Sequence, residues 1–195
     1  MDLAHSEVLG ELFLNARTHR AWTATPVPES TLREIYETMK YGPTSANTNP
    51  FRVLFLTTQE AKERLLPSMA EGNREKTRTA PVVAIFAYDI EFYEHLDQLM
   101  PGRDMKSWFS SDLPKAERSA FQNSTLQAGY FILATRGFGL DCGPMTGFDA
   151  DGVNATFFEG TTWRANIICN LGYGDATQLG PRLPRLDFEQ ACRIL

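Results

Sequence analysis

The stretch Leu140-Asp141-Cys142-Gly143-Pro144-Met145-Thr146-Gly147-Phe148-Asp149 decides how this chain is read. It has the pattern of a short strand running into a turn bracketed by Gly143 and Gly147, and Asp149 is placed to cap a helix reaching about residue 158. Upstream, residues 116–136 carry Ala128, Phe131, Ile132 and Thr135 on one face, the spacing of a long helix that Gly137 and Gly139 end. Downstream, residues 165–171 form another apolar strand. Helix, strand, helix and strand follow one another without a linker, which predicts a layered α/β sandwich in a single domain over 1–195.

Working outward, residues 3–15 place Leu9, Leu12 and Phe13 at helical spacing before a polar turn over 16–22. Ser30 is positioned to cap a helix through Lys40 with Leu32, Ile35, Tyr36 and Met39 as its apolar stripe, ended by Gly42-Pro43. A loop over 44–50, dense in hydroxyls and amides, leads to a strand at 51–57, and Thr58 caps a charged helix over 60–66. A polar turn holding Gly72, Asn73, Arg74 and Lys76 precedes a buried strand at 81–88. Residues 91–118 are aromatic and irregular, compatible with a mobile lid or with short helices. The prolines of Gly180-Pro181-Arg182-Leu183-Pro184-Arg185-Leu186 make the tail extended. Beyond them, Leu186, Phe188, Ala191, Ile194 and Leu195 need a surface to cover, on this copy or a second one.

Composition narrows the function classes. With 195 residues, 43% hydrophobic and 22% charged, the chain has the makeup of a globular domain and not of a disordered segment. Nineteen Lys+Arg against 24 Asp+Glu, a net charge of -5, argue against a broad basic face for nucleic acid. The longest apolar run, 82–88, is far short of the roughly 20 residues that span a bilayer. The opening Met1-Asp2-Leu3-Ala4-His5 has no signal-peptide character, so a cytoplasmic location is expected. Cys142, Cys169 and Cys192 lack CxxC spacing and are expected to be reduced thiols.

Most catalytic signatures are missing. His5, His19 and His95 form no HExxH, which argues against a histidine metal site. There is no GxSxG elbow and no phosphate-binding Walker loop. Gly137-Phe138-Gly139 with Gly143 has GxGxxxG spacing after a helix, where a dinucleotide fingerprint needs GxGxxG after a strand. No side chain is compelling as a catalytic acid or base, so an enzyme built this way relies on a cofactor for its chemistry. Three polar clusters could hold one. Arg17-Thr18-His19-Arg20 offers guanidinium forks and a hydroxyl for phosphate, or simply basic residues at a helix C-terminus. Pro43-Thr44-Ser45-Ala46-Asn47-Thr48-Asn49-Pro50 can pair with a polar heterocycle edge or close a turn. Gly143-Pro144-Met145-Thr146-Gly147 can let backbone approach a flat ligand or make a tight strand-to-helix turn.

Taken in this order, Ala16-Arg17-Thr18-His19-Arg20-Ala21-Trp22, Gly42-Pro43-Thr44-Ser45-Ala46-Asn47, Gly143-Pro144-Met145-Thr146-Gly147-Phe148-Asp149 and Arg182-Leu183-Pro184 resemble the nitroreductase family of FMN-dependent oxidoreductases. With Gly172-Tyr173-Gly174-Asp175 and Arg182-Leu183-Pro184-Arg185-Leu186, the likeness narrows to the malonic semialdehyde reductase branch. The resemblance implies a three-layer sandwich, a mostly antiparallel sheet flanked by helices, in an intertwined homodimer with FMN at the subunit interface. It implies that Arg17, Thr18 and Arg20, with His19, hold the phosphate and nearby ribityl or ring oxygens, joined by Arg182 from the C-terminal arm. Asn73 and Lys76 would meet the pyrimidine end of the flavin, Lys76 favouring negative charge there. Pro144, Met145, Thr146 and Gly147 would lie against the ring, while Pro43, Thr44, Ser45 and Asn47 would come from the second subunit.

The implied reaction is a ping-pong hydride transfer through flavin N5. NADH or NADPH is the transient donor and a small acceptor the recipient, in that branch malonic semialdehyde going to 3-hydroxypropionate. Arg52 and Arg103 are candidates for an acceptor carboxylate. The alternatives are a broad NAD(P)H nitroreductase or quinone reductase, and a non-redox flavin-binding or flavin-modifying protein. Three positions depart from the family pattern: Ala16 stands where members have arginine, Thr146 where many have glutamate, and Gly180 where many have lysine.

Overall fold

The sheet forms where the chain is most apolar. A computed structural model describes residues 7–195. Its strands are β1 (Phe51–Leu56), β2 (Val82–Asp89), β3 (Asp141–Met145) and β4 (Trp163–Gly172). They lie in the order β1-β2-β4-β3 with every neighbouring pair antiparallel. The helices are α1 (Glu29–Met39), α2 (Gln59–Leu65), α3 (Glu71–Thr79), α4 (Leu96–Leu99), α5 (Lys106–Ser110), α6 (Leu113–Gly137), α7 (Ala150–Phe157) and α8 (Phe188–Ala191). A π-helical turn, Gly10–Leu14, precedes them. No described helix is long and apolar enough to cross a membrane.

The period-two alternation of β2 sorts its side chains into two cores. Ala84 and Phe86 face α1 and α6, packing with Leu32, Ile35, Met39, Phe131, Cys142 and Cys169. Val83, Ile85 and Ala87 face the opposite layer, packing with Leu65, Leu66, Met69, Val153 and Phe158. The result is the expected three-layer sandwich around an antiparallel sheet. Phe131 sits edge-on to Phe86 with ring centroids 4.9 Å apart, so α6 is keyed to the middle of the sheet. A third cluster, Phe92, Tyr93, Leu96, Phe109, Ala116 and Ala120, gives residues 92–110 their own aromatic anchor. That segment is therefore a set of short helices seated on the start of α6.

Several boundaries differ from the sequence expectation. The second helix begins at Glu29, so Ser30 lies inside its first turn. Pro28, extended at φ -63° and ψ 146°, makes the entry without any side-chain cap. Residues 71–79 form helix α3 instead of a polar turn; the segment has almost no apolar periodicity, and its C-terminal end is fixed by tertiary bonds. Helix α6 begins three residues before the periodic stretch, because Asp112 accepts from the Lys115 N–H and Pro114 suits the first turn. The tail is extended as far as Asp187, where a capping box with Gln190 starts the short α8. Part of the N-terminal helix expected over 3–15 lies outside the described residues. Thr58 and Asp149 act as caps as expected, accepting from the backbone N–H of Ala61 and Asp151.

One buried polar network ties the sheet edge together. Asp89, 4% exposed, accepts from the Arg52 guanidinium at 2.7 Å, from the Thr162 hydroxyl at 2.6 Å and from the Glu91 N–H at 3.0 Å. Arg52, a candidate for an acceptor carboxylate, is thus already paired. Arg103 is exposed and has no carboxylate partner among the described residues.

Candidate functional site

The polar turn after the N-terminal helical segment runs along the free edge of β3. Thr18 pairs with Cys142 as a parallel bridge, and Trp22 bridges Gly174 beyond the end of β4. Between them His19 is 6% exposed, its Nε2 3.4 Å from Asp141 Oδ1. The Gly174 N–H donates to the other oxygen of Asp141 at 2.9 Å. A side chain at position 174 would begin 2.1 Å from the His19 ring, so the absence of one there is what lets the histidine be buried. His19 therefore anchors the turn through its side chain. Its Nδ1 is buried with no partner among the described residues.

On either side of that anchor the arginines turn outward. A cavity of about 340 Å³ is lined by Arg17, Thr18, Arg20 and Arg182, with Ala16 and residues 178–181. The lining contains no carboxylate and includes two further arginines, Arg136 from the last turn of α6 and Arg185 from the tail. The two chain ends clasp one another across it. Arg17 donates to the Gly180 carbonyl at 2.6 Å, and Arg182 donates to the carbonyls of Leu14 and Ala16 at 2.8 and 3.0 Å. Positive charge is thereby concentrated in a concave, carboxylate-free place, which favours a polyvalent anion.

Farther along the β3 edge lie the other residues singled out from the sequence. Trp22 Nε1 and Asn170 Nδ2 both donate to the Lys76 carbonyl, at 3.2 and 2.9 Å, holding the end of α3 against the sheet. The Lys76 ammonium is kept below the ordinary lysine range by burial first and by the Arg20 guanidinium second. An anion placed near it would relieve both effects. Asn73 donates its side-chain amide to the Gly147 carbonyl at 2.9 Å, and the Ala70 N–H donates to the same oxygen at 3.0 Å. The space a side chain would need at Gly147 is filled by that Asn73 amide, 2.7 Å from where a Cβ would stand. Met145 is buried, Pro144 half-buried and Thr146 exposed. A continuous strip thus runs from the arginine-lined cavity past Gly143 and Lys76 to the Asn73–Gly147 pair.

The loop of Pro43, Thr44, Ser45 and Asn47 lies elsewhere, on the flank of α6. The Ser45 N–H donates to Asn123, the Pro43 carbonyl accepts from Tyr130, and Asn47 donates to the Leu99 carbonyl. Ala46, Asn47 and Asn49 have positive φ of 48°, 50° and 41°, a shape kept by bonds from outside the loop. No described hydrogen bond joins this loop to the β3 strip. Arg136 and Arg185 escaped the sequence reading because each has a local explanation, a basic residue in a last helical turn and a charged residue in a Pro-rich tail. Only their convergence on one cavity marks them out. Cys142 and Cys169 lie buried side by side in the core; burial, then the neighbouring thiol, pushes Cys169 well above the ordinary thiol range, so it stays protonated.

Comparison with known proteins gives the same arrangement a lineage. A provisionally named nitroreductase from Bacillus subtilis superposes with TM-score 0.88 at 18% identity, covering 98% of this chain and 100% of the other. A provisionally named nitroreductase from Exiguobacterium sibiricum, solved in complex with FMN, has TM-score 0.79 at 20% identity, covering 100% of this chain and 98% of that one. At these identities the likeness establishes the fold. A curated protein of Ralstonia nicotianae, provisionally named NADH dehydrogenase/NAD(P)H nitroreductase, is 52% identical over 195 residues, the full length of both chains. The sequence profile of the Nitroreductase family matches residues 14–173, from just before the arginine turn to the residue after β4. With fold, full-length identity and profile in agreement, this chain belongs to the nitroreductase family.

Proposed function

We propose that the protein is an FMN-dependent oxidoreductase that takes hydride from NADH or NADPH and passes it to a small acceptor. The observation that carries this reading is the carboxylate-free cavity lined by five arginines at one end of a polar strip. A phosphate dianion fits its charge and guanidinium geometry, and a planar ring system fits the strip beyond it. The 52% identical relative bears an NAD(P)H nitroreductase name, and a structural neighbour was solved with FMN. When bound, FMN supplies the two-electron chemistry that no side chain here offers.

The protein's own part is binding and orientation. Arg17, Thr18, Arg20 and Arg182 hold the phosphate end, and buried His19 fixes the turn that carries two of those arginines. Lys76 favours negative charge at the far end of the strip, and Asn73 sets the Gly147 turn. Pro43, Thr44, Ser45 and Asn47 serve the site of a second copy, since the described contacts keep them on α6 and away from their own strip. That makes a homodimer with FMN at its interface, the working form we assign to a cytoplasmic enzyme. Sedimentation at low micromolar concentration gives a two-chain species; a purely monomeric protein would remove the shared site.

For the acceptor we propose malonic semialdehyde, going to 3-hydroxypropionate, on the likeness of the residue 16–19, 42–47 and 182–186 motifs to that branch. A nitroaromatic or quinone is the competing acceptor. The test is the absorption spectrum of purified protein before and after anaerobic NADH or NADPH, followed by kcat/KM for the semialdehyde and for a nitroaromatic. A flavin spectrum bleached by the nucleotide is expected, with a higher kcat/KM for the semialdehyde. A flavin that neither nucleotide bleaches means a non-redox flavin-binding protein, and a colourless protein that takes up no FMN ends the proposal.

A further inference from the structure

Arg136 is in an unusual position for a residue that only terminates a helix. A basic side chain favoured by the helix dipole normally extends into solvent. Here the guanidinium is folded back into the protein. One Nη donates to the Leu12 carbonyl at 2.8 Å, and Nε is buried with no partner among the described residues. No carboxylate pairs with it among those residues either. Glu11 and Asp141 line a neighbouring hollow with it without forming an ion pair, so the partly buried guanidinium keeps unused donors that an anion can complete.

The cavity supplies the place for that anion. Arg136 lines it together with Ala16, Arg17 and Thr18, and it approaches from α6, an element none of the other lining arginines shares. At position 16 the lining offers only a methyl group, so the turn itself contributes no guanidinium there. Arg17, Arg182 and Arg185 each already donate to backbone carbonyls. Arg136 too spends one Nη on a carbonyl, that of Leu12, but its Nε is buried and unpartnered among the described residues, which holds for no other arginine of the lining.

We propose that Arg136 is a phosphate ligand of the bound flavin nucleotide, supplying from the end of α6 the charge that Ala16 does not. The proposal rests on the FMN reading above. It also makes the phosphate site a junction of three chain segments: the N-terminal turn, the C-terminal arm and the central helix.

The test compares FMN with riboflavin, which differ by the phosphate. Apo-protein is titrated with each flavin, following flavin fluorescence, for wild type, Arg136→Gln and Arg136→Lys. Arg136→Gln is expected to weaken FMN on the order of 10- to 100-fold while leaving riboflavin unchanged, as the loss of a charge-assisted contact predicts. Arg136→Lys, which keeps the charge and loses the fork, gives an intermediate loss for FMN alone. A merely structural role would weaken both flavins equally and overturns the proposal, as does an unchanged FMN preference in both variants. Wild-type protein that binds riboflavin as tightly as FMN overturns the phosphate reading of the whole cavity. The lysine variant keeps the test decisive if the glutamine variant does not fold.

Discussion

Asp89→Ala is expected to lower the unfolding free energy by about 3–5 kcal/mol, the usual effect of removing one partner from a buried ion pair. The carboxylate and the Arg52 side chain are 6% and 18% exposed, so the guanidinium left behind cannot recover full hydration. The same carboxylate also accepts from Thr162 and from the Glu91 N–H, so three segments lose a common anchor. These are the start of β1, the entry to β4 and the start of the aromatic short-helix region, all held to the end of β2. A typical domain has only about 5–15 kcal/mol to lose. For a chain of this length the shift corresponds to a Tm lower by about 6–20 °C. Urea unfolding followed by far-UV circular dichroism checks it; a loss below about 1 kcal/mol would mean that Arg52 finds solvent or another acceptor.

The second large effect concerns the cofactor. Replacing Arg17 and Arg182 together by glutamine is expected to weaken FMN binding by a factor on the order of 10² to 10⁴. This takes about 1.5–3 kcal/mol for each charge-assisted phosphate contact, and about 1.4 kcal/mol for each factor of ten. Glutamine removes the charge and ends about where the arginine Nε stood, so the clasp to the Gly180, Leu14 and Ala16 carbonyls loosens as well, but riboflavin has no phosphate for either side chain to hold. Riboflavin affinity therefore stays nearly constant. Raising the ionic strength reduces the wild-type preference for FMN and has little effect on the double variant, because screening acts on charge. Equal FMN dissociation constants for wild type and double variant would place the phosphate elsewhere.

How far the site was legible in the sequence depended on the range of each interaction. The arginine turn and the Asn73/Lys76 pair could be singled out because their chemistry and spacing fit an anionic planar ligand once the family resemblance is seen. The role of His19 could not: its burial follows from Asp141 and Gly174, more than a hundred positions away in the chain. Helix α3 was missed for a related reason. Its residues are nearly all polar, and the bonds from Trp22 and Asn170 that hold its end come from other elements.

What the sequence by itself determined is everything governed by neighbours within a turn or two. The two-faced alternation of Val83 to Ala87 committed the chain to a sheet covered on both sides, and the periodic stripe ending at Gly137 committed it to one long helix. The caps at Thr58 and Asp149 and the prolines of the tail acted at the same short range. Only the tertiary structure decided which distant polar groups meet. Five arginines from the N-terminal turn, the end of α6 and the C-terminal arm share one cavity because the tail returns to the first turn, and the free edge of β3 takes that turn as a neighbour. No local propensity encodes this meeting, since it exists only after chain segments more than a hundred residues apart have been closed into loops around a common core.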